Sequence, residues 1–421
     1  MSRFIILGGD CMIFCIDMKS FFASVECSLR NLNPLTTPLV VCDESRGKGA
    51  LILAASPYLK KYGIPSRCRL FEIPKELNYI KARPRMQKYM EYTASIHEIF
   101  LNYVDQSDIH TYSVDESFLD VTKYLKFHCM SVKELALSIL QDIKEKLGIV
   151  AVCGAGDNLF LAKLSLDLYA KHKSDYFFYL SADYFFENTW YHSKLTDIWQ
   201  IGKGISKRLG KLGLTSLADI AKSNVEILKK EFGVIGEDIY EHAWGRDDVS
   251  IADIKAYKPL SKSMSRNQVL FRDYTKEEAW IPICEMLYLL CIDLVKENLI
   301  CSSVHFGVVY SDDGYSHKSF SLDNSCNDYF FIKKELKKIY QLVVLEKNIR
   351  VIYLSFSGFS KTSEKIKNLF NFEDDRYEKI SNEILNIWKK YGKNKLVIGT
   401  AITNESTLYK RNLCIGGHNS D

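Results

Sequence analysis

The sequence predicts an α+β chain of several domains, and three observations carry that reading. Its 421 residues, 47% hydrophobic and 13% aromatic, are enough to bury more than one core. From residue 85 to 178 helical and strand patterns alternate, which fits a mixed sheet with helices on one side. A polar stretch from Asp247 to Pro259 then precedes a second series of helices and strands after Lys262.

Taken in order, Cys11 to Ile16 is an apolar run of the length of a buried strand, and Asp17 closes it at the exposed end. A helix follows: Phe21, Val25 and Leu29 recur at helical spacing, with Ser20 as N-cap. The stretch Ser113 to Asp120 also alternates like a strand, but Asp115 and Glu116 interrupt it side by side. Neighbouring strand residues face opposite ways, so a kink, a bulge or the mouth of a turn must aim both acids at one site. With the two strands as neighbours, Asp17, Asp115 and Glu116 form a hard oxygen cluster suited to magnesium bound with substrate phosphates. Two such ions about 4 Å apart are the standard device for in-line phosphoryl transfer.

Met90, Ala94, Ile96, Ile99 and Phe100 predict one helix, and Val132, Leu135, Ala136, Ile139, Leu140 and Ile143 another that ends near Gly148. Ile149 to Cys153 reads as a buried strand. Gly154 and Gly156 read as a glycine-rich turn opening a helix through Lys163 to Lys171, without the spacing of a Walker loop. Ile201 to Leu209 reads as a glycine hairpin opening a helix, flanked by lysines. Amides at such a helix start attract phosphate oxygens, and glycines let a nucleic-acid backbone come close. Binding of that kind ignores base sequence and weakens with salt. Beyond Lys262 the pattern predicts a helix over Ala279–Leu294, strands over Ser303–Tyr310 and Val351–Phe356, and a helix over Tyr377–Tyr391. Lys333, Lys334, Lys337 and Lys338 read as a solvated helix face.

A net charge of +4 points mildly to a polyanionic partner, and the lysine clusters at 60–61, 203–211 and 229–230 matter more than the total. Twelve cysteines lack zinc spacing or a CxxC pair, which predicts reduced thiols and no disulfides. There is no apolar run of membrane-spanning length and no signal-peptide pattern in Met1–Asp10, so the expected location is the cytoplasm.

Five ordered motifs carry a family resemblance: DMKSFFASVE at 17–26, LAASPYLKKYGI at 53–64, YSVDESFLDVT at 112–122, IGKGISKRLGKLGL at 201–214 and KSMSRNQVLFRDY at 262–274. Together they resemble the Y-family (UmuC/DinB) translesion DNA polymerases, in particular the UmuC-like branch of Gram-positive bacteria, plasmids and phages. The resemblance implies a right-hand polymerase: palm at 1–20 and 85–178 around a mixed sheet, small fingers at 21–84, helix-hairpin-helix thumb at 179–250, linker at 251–261, α/β little finger at 262–360 and a tail at 361–421. It implies two Mg2+ ions held by Asp17, Asp115, Glu116 and the carbonyl of Met18. Phe22 matches the ring that bars a 2′-hydroxyl, and Lys60 and Lys171 match lysines that contact the triphosphate. Two departures accompany these matches. Pro57, followed by Tyr58, stands where many relatives carry a tyrosine, and the spacing from Lys163 to Lys171 is one residue longer than in some relatives. Gly202, Lys203, Gly204 and Lys207 match the thumb's hold on the DNA backbone.

The partners implied are primed template DNA, deoxynucleoside triphosphates, a sliding clamp, and a RecA-like or accessory subunit. Leu369-Phe370 fits the hydrophobic plug of a clamp-binding peptide, although Ile366 stands in place of its first glutamine. The expected activity is low-fidelity, DNA-templated synthesis across damaged bases. Two other classes fit part of the pattern. A non-catalytic DNA-binding factor would not need the three acids, and a palm-like enzyme making cyclic or untemplated products would not need the thumb and little-finger motifs.

Overall fold

The computed structural model describes residues 11–47, 49–259, 262–364 and 374–420. The chain divides into two compact units, the first reaching Tyr257 and the second running from Lys258 to Ser420.

In the first unit, β1 (Ile13–Met18) leads to α1 (Phe21–Ser28), β2 (Leu39–Cys42), β3 (Ile52–Ala55), α2 (Pro57–Lys61), β4 (Ile80–Ala82) and α3 (Met86–Phe100). β5 (Ile109–Thr111), β6 (Glu116–Asp120), α4 (Thr122–His128), α5 (Val132–Leu147), β7 (Ala151–Gly156), α6 (Leu159–Leu164) and β8 (Phe177–Leu180) follow. Five of these strands form one sheet in the order β5-β6-β1-β7-β8, mixed because β7 and β8 run parallel while the other pairs are antiparallel. Helices cover both faces, not one as the pattern predicts. β1 is the reason. Phe14 and Ile16 point to a core shared with Leu135, Ile139 and Ile143 of α5, whereas Ile13 and Cys15 point to a second core with Leu159, Ala162 and Leu166. A strand apolar on both sides needs cover on both.

α5 shows how local signals fix an element. Ser131 and Glu134 form a reciprocal capping box at its start, and Gly148 ends it in the left-handed conformation, φ 67°. At α1 the expected cap fails. Ser20 occupies the N-cap position with φ 52°, and its buried hydroxyl has no hydrogen-bond partner. That backbone turns the hydroxyl away from the first amides of the helix.

Gly154 and Gly156 are strand residues of β7, not a turn. A methyl group on Gly154 would collide with the Leu166 amide and the Ala162 carbonyl, and one on Gly156 with the Ala162 amide. The glycines let α6 and the turn after it lie directly on the sheet. That following turn, Ser165–Tyr169, is a π turn, so the helix expected to run evenly to Lys171 widens in its middle.

β2 is flanked by antiparallel β3 and parallel β4 in a separate three-stranded sheet. Its Leu39 and Val41 face the main core, while Val40 and Cys42 pack with Ile52, Leu59 and Ile64. After β8 the chain is helical: α7 (Ala182–Tyr184), α8 (Lys203–Lys211), α9 (Leu217–Lys222), α10 (Val225–Phe232), α11 (Val234–Ala243) and α12 (Ile251–Ala256). Leu209, Leu217, Ile220, Leu228 and Ile239 build a core of their own there. The expected linker is thus structured over α12, whose Ile251 is buried and whose Lys255 donates to the carbonyls of Gln106 and Ser107.

The second unit holds β9 (Ser263–Tyr274), α13 (Lys276–Lys296), β10 (Leu299–Tyr310), β11 (Tyr315–Cys326), α14 (Tyr329–Val343), β12 (Ile349–Lys361), α15 (Asp374–Tyr391), α16 (Leu408–Asn412) and a hairpin of β13 (Cys414–Ile415) and β14 (His418–Asn419). Its antiparallel sheet runs β11-β10-β12-β9. The tail predicted from residue 361 is part of this core: Tyr377, Trp388, Ala401 and Leu408 pack with residues of α13 and the sheet. Glu285, fully buried on α13, accepts hydrogen bonds from the Ser406 hydroxyl and from the Thr407 amide and hydroxyl. The twelve cysteines are free thiols. Among the described residues no helix is long and apolar enough to cross a membrane.

The contact at Gly154 is testable by unfolding in urea. Gly154→Ala should destabilise the first unit by about 2 kcal/mol, because backbone atoms cannot yield as a flexible side chain can. Gly210→Ala, in α8 with open space around it, should instead gain about 0.5–1 kcal/mol.

Candidate active site

The acids meet where β1 ends and β6 begins. Asp17 and Glu116 are register partners on these antiparallel strands. Asp115 sits one residue before β6, at the mouth of a tight turn in which the amides of Tyr112 and Ser113 both donate to the Glu116 carbonyl at 3.0 Å. The Met18 amide donates to the Asp115 carbonyl at 2.9 Å, and the Thr93 hydroxyl to the Val114 carbonyl at 2.7 Å. Of the kink, bulge and turn expected at this place, the turn is the one present.

Two lysines on the α6 segment answer the acids. Lys163, only 9% exposed in its side chain, reaches both Glu116 oxygens at 2.7 and 2.8 Å and Asp167 at 3.1 Å. Lys171 lies 2.8 Å from Asp167 and 2.8 Å from Asp17. The result is an alternating chain of charge, Glu116–Lys163–Asp167–Lys171–Asp17. Burial raises the Asp17 carboxyl above its ordinary value against the pull of Lys171, and the charges of Asp115 and Glu116 push the same way. Burial opposes the charge on Lys171, but Asp17 and Asp167 outweigh it and hold the ammonium above its ordinary value.

Lys60, on α2, feels this charge too. Desolvation and the nearby Lys171 hold it below its ordinary value, while Asp17 and Asp115 oppose that shift. Lys19 is lowered by desolvation and by Lys60, Lys61 and Lys171. Sequence reasoning missed Lys19, Lys163 and Asp167. The last two had a signal, because 163, 167 and 171 are spaced by four and alternate in charge.

Phe22 is half-buried and Phe21 fully buried, the division the helical spacing predicts. The Phe22 ring stacks on Tyr89 at 4.5 Å and 16°. The Tyr89 hydroxyl donates to Glu26 at 2.9 Å, and Arg85 grips the same carboxylate with two bonds of 3.0 and 2.7 Å, joined by Arg30. Glu26 has no solvent exposure. Burial would raise its carboxyl, but the bonds from Arg85, Arg30 and Tyr89 hold it below the ordinary 4.5.

Gly202, Lys203, Gly204 and Lys207 belong to a different element, the start of α8, with Gly202 as its N-cap and open space over both glycines. Arg208 beside them turns to Glu231 and to the Phe232 ring at 4.3 Å. In the second unit the sheet face opposite the core carries cross-strand rows that the sequence did not reveal. One is Ser263-Ser357-Ser303-Ser321, the next Ser265-Ser355-His305-Ser319. Leu369 and Phe370, the clamp-peptide residues, lie outside the described residues.

The donors offered by Asp17, Asp115, Glu116 and the Met18 carbonyl are all oxygen, three of them carboxylates, which suits a hard divalent cation. Among the described residues no three such side chains converge at metal-ligand spacing. Each acid is turned to its own partner: Asp17 to Lys171, Glu116 to Lys163, and Asp115 to the Ser113 hydroxyl at 2.6 Å. The donor set fits such an ion once these side chains swing off their partners.

A mixed sheet ending in acids and faced by lysines is the layout of a phosphoryl-transfer enzyme acting on an anionic substrate. Comparison with known proteins narrows the class. The impB/mucB/samB family profile matches residues 16–167, and the profile of that family's C-terminal domain matches residues 261–369. The "Putative UV-damage repair protein UvrX" of Bacillus subtilis is 30% identical, covering 97% of this chain and 97% of its own. A "DNA polymerase IV" of Clostridium acetobutylicum is 28% identical over 94% of this chain and 99% of its own. The fold matches the solved structure of a Y-family DNA polymerase chimera, Dbh-Dpo4(243-245)-Dbh, with a TM-score of 0.63 at 21% identity, covering 82% of this chain and 98% of that one. The chain therefore belongs to the impB/mucB/samB family, the Y-family of DNA polymerases. It is a DNA-directed DNA polymerase with a C-terminal little-finger domain, and DNA and deoxynucleoside triphosphates are the substrates that this membership implies.

The Glu26 cluster sets a pH-dependent stability. A carboxyl held below 4.5 in the folded state stabilises the fold fully above that value, and the contribution disappears as pH falls through the lower folded value. Glu26→Gln should therefore weaken folding by roughly 1–3 kcal/mol at pH 7. In urea titrations the gap between wild type and variant should close below pH 4.5.

Proposed function

We propose that this polymerase carries out translesion synthesis, extending primers across damaged template bases at low fidelity by two-metal nucleotidyl transfer. The observation that carries the reading is the register pairing of Asp17 with Glu116, with Asp115 at the adjoining turn and Lys60 and Lys171 facing them. In this reading the five-stranded sheet is the palm, β2 to β4 with α2 the fingers, and α8 to α11 the thumb.

Asp17, Asp115, Glu116 and the Met18 carbonyl would hold the two Mg2+ ions, which when bound would lower the pKa of the primer 3′-hydroxyl and neutralise the triphosphate and departing pyrophosphate. The chain's own side chains bind and orient. Lys60, Lys171 and Lys19 supply positive charge for the phosphates. Phe22, steadied by its stack on Tyr89, stands at the sugar and excludes a 2′-hydroxyl. Lys203 and Lys207, with the amides that follow Gly202, take the DNA backbone irrespective of base. The small three-stranded fingers sheet supports a tolerant site, and the UV-damage repair in the name of the Bacillus relative supports damaged DNA as template.

Primer extension opposite an abasic site tests the reading. Wild type should extend the primer in Mg2+, and the double variant Asp115→Ala, Glu116→Ala should fall to background while its DNA affinity stays within about twofold. Extension by the double variant would overturn the assignment of the acids. Phe22→Ala should raise incorporation of ribonucleotides relative to deoxynucleotides by roughly tenfold or more, read from single-nucleotide insertion.

A further inference from the structure

Asp167 is the middle member of the charge chain, and neither its spacing nor its partners are those of a solvated surface acid. Its two oxygens are divided between Lys163 at 3.1 Å and Lys171 at 2.8 Å, and its side chain is 28% exposed. Both lysines also hold a carboxylate of the acid cluster: Lys163 holds Glu116, and Lys171 holds Asp17.

A regular α-helix does not stack these three residues. Four residues overshoot a turn of 3.6 by about 40°, so two such steps carry Lys171 about 80° away from Lys163. The segment between them departs from a regular helix at the π turn Ser165–Tyr169. The Ala170 amide reaches back to the carbonyls of both Leu166 and Ser165, the second being the five-residue bond of a widened turn. Past Tyr169, whose φ −125° and ψ −60° leave the helix, Lys171 stands on a 3-10 turn, Ala170–His172, and its ammonium meets Asp167 there. The widened turn is anchored: the Ser165 hydroxyl donates to the Phe178 carbonyl at 2.6 Å, and Gly154 leaves room for the Leu166 backbone.

We propose that Asp167 is a positioning residue that holds Lys171 at the acid cluster, ready for the triphosphate of the incoming nucleotide. The proposal rests on the polymerase reading above. Lys171 has two carboxylate partners, and one of them, Asp17, is needed elsewhere once nucleotide arrives. Asp167 is the partner that remains. With it, Lys171 keeps its position when Asp17 turns away; without it, the long side chain pairs with Asp17 alone and competes for that carboxylate.

The test uses the full chain on a primer-template ended with a dideoxynucleotide, so that nucleotide binding is measured without chemistry, by fluorescence titration. Asp167→Asn should weaken nucleotide affinity about five- to tenfold and leave DNA affinity and thermal midpoint unchanged. Asp167→Glu should recover part of the loss. In a Lys171→Met background the effect of Asp167→Asn should vanish, because it acts through that lysine. Unchanged nucleotide affinity in folded Asp167→Asn, or an equal loss in the Lys171→Met background, would overturn the proposal. Loss of DNA and nucleotide affinity together in both Asp167→Asn and Asp167→Ser would also overturn it, by showing a merely structural role. Wild-type protein that neither binds nucleotide in this complex nor extends an open primer would instead remove the polymerase reading.

Discussion

Four carboxylates crowd the end of one strand pair, and holding that much like charge on a half-buried surface is the constraint around which the first unit is arranged. Like charges held close together raise one another's proton affinity unless positive groups offset them. Asp17, Glu116 and Asp167 have Lys163 and Lys171 for that purpose, and Lys60 lies within reach of the charges of Asp17 and Asp115. Much of the surrounding architecture serves this arrangement. β1 must be buried on both faces to deliver Asp17 from the centre of the sheet. The glycines of β7 must be bare for the lysine-bearing helix to lie close enough, and the turn before β6 must be tight enough to turn Asp115 beside Glu116.

The balance also explains why Asp17, Glu116 and Asp167 are engaged with lysines, while Asp115 takes the Ser113 hydroxyl. Lys163 is the least exposed member of the chain of charge, and it ties Glu116 to the helix through an ion pair shielded from water.

How much of this was legible in the sequence depends on the kind of signal. Asp17, Asp115 and Glu116 stand out in the sequence because an acid at the end of an apolar strand, and a pair of acids inside another, break a pattern that is otherwise regular; the pairing of the two strands that brings them near each other is visible only in the fold. α5 was legible because its period, its cap and its terminal glycine agree. Gly154 and Gly156 misled, since glycine in a sequence marks a turn far more often than a strand pressed against a helix. β11 was missed because neither of its faces carries a clear apolar stripe: Tyr315-Ser-His-Lys-Ser-Phe-Ser reads as a loop until β10 is placed beside it. The tail was legible as a helix but not as part of the core, because Tyr377 and Trp388 are covered by α13 and the sheet, and Thr407 binds Glu285, a charge more than a hundred residues away in the chain.

That last contact has a consequence for how the protein is made. Domains tend to fold as units as they leave the ribosome, at about 5–20 residues per second. The first unit has all of its described residues once Tyr257 is out, whereas the second lacks the partners of its buried carboxylate until Thr407 emerges, some 150 residues later. At those rates the interval is roughly 8–30 s. During it the acid-bearing sheet is complete while Glu285 still waits for its hydroxyls, so synthesis of each molecule passes through a stage in which the first unit is finished and the second is not.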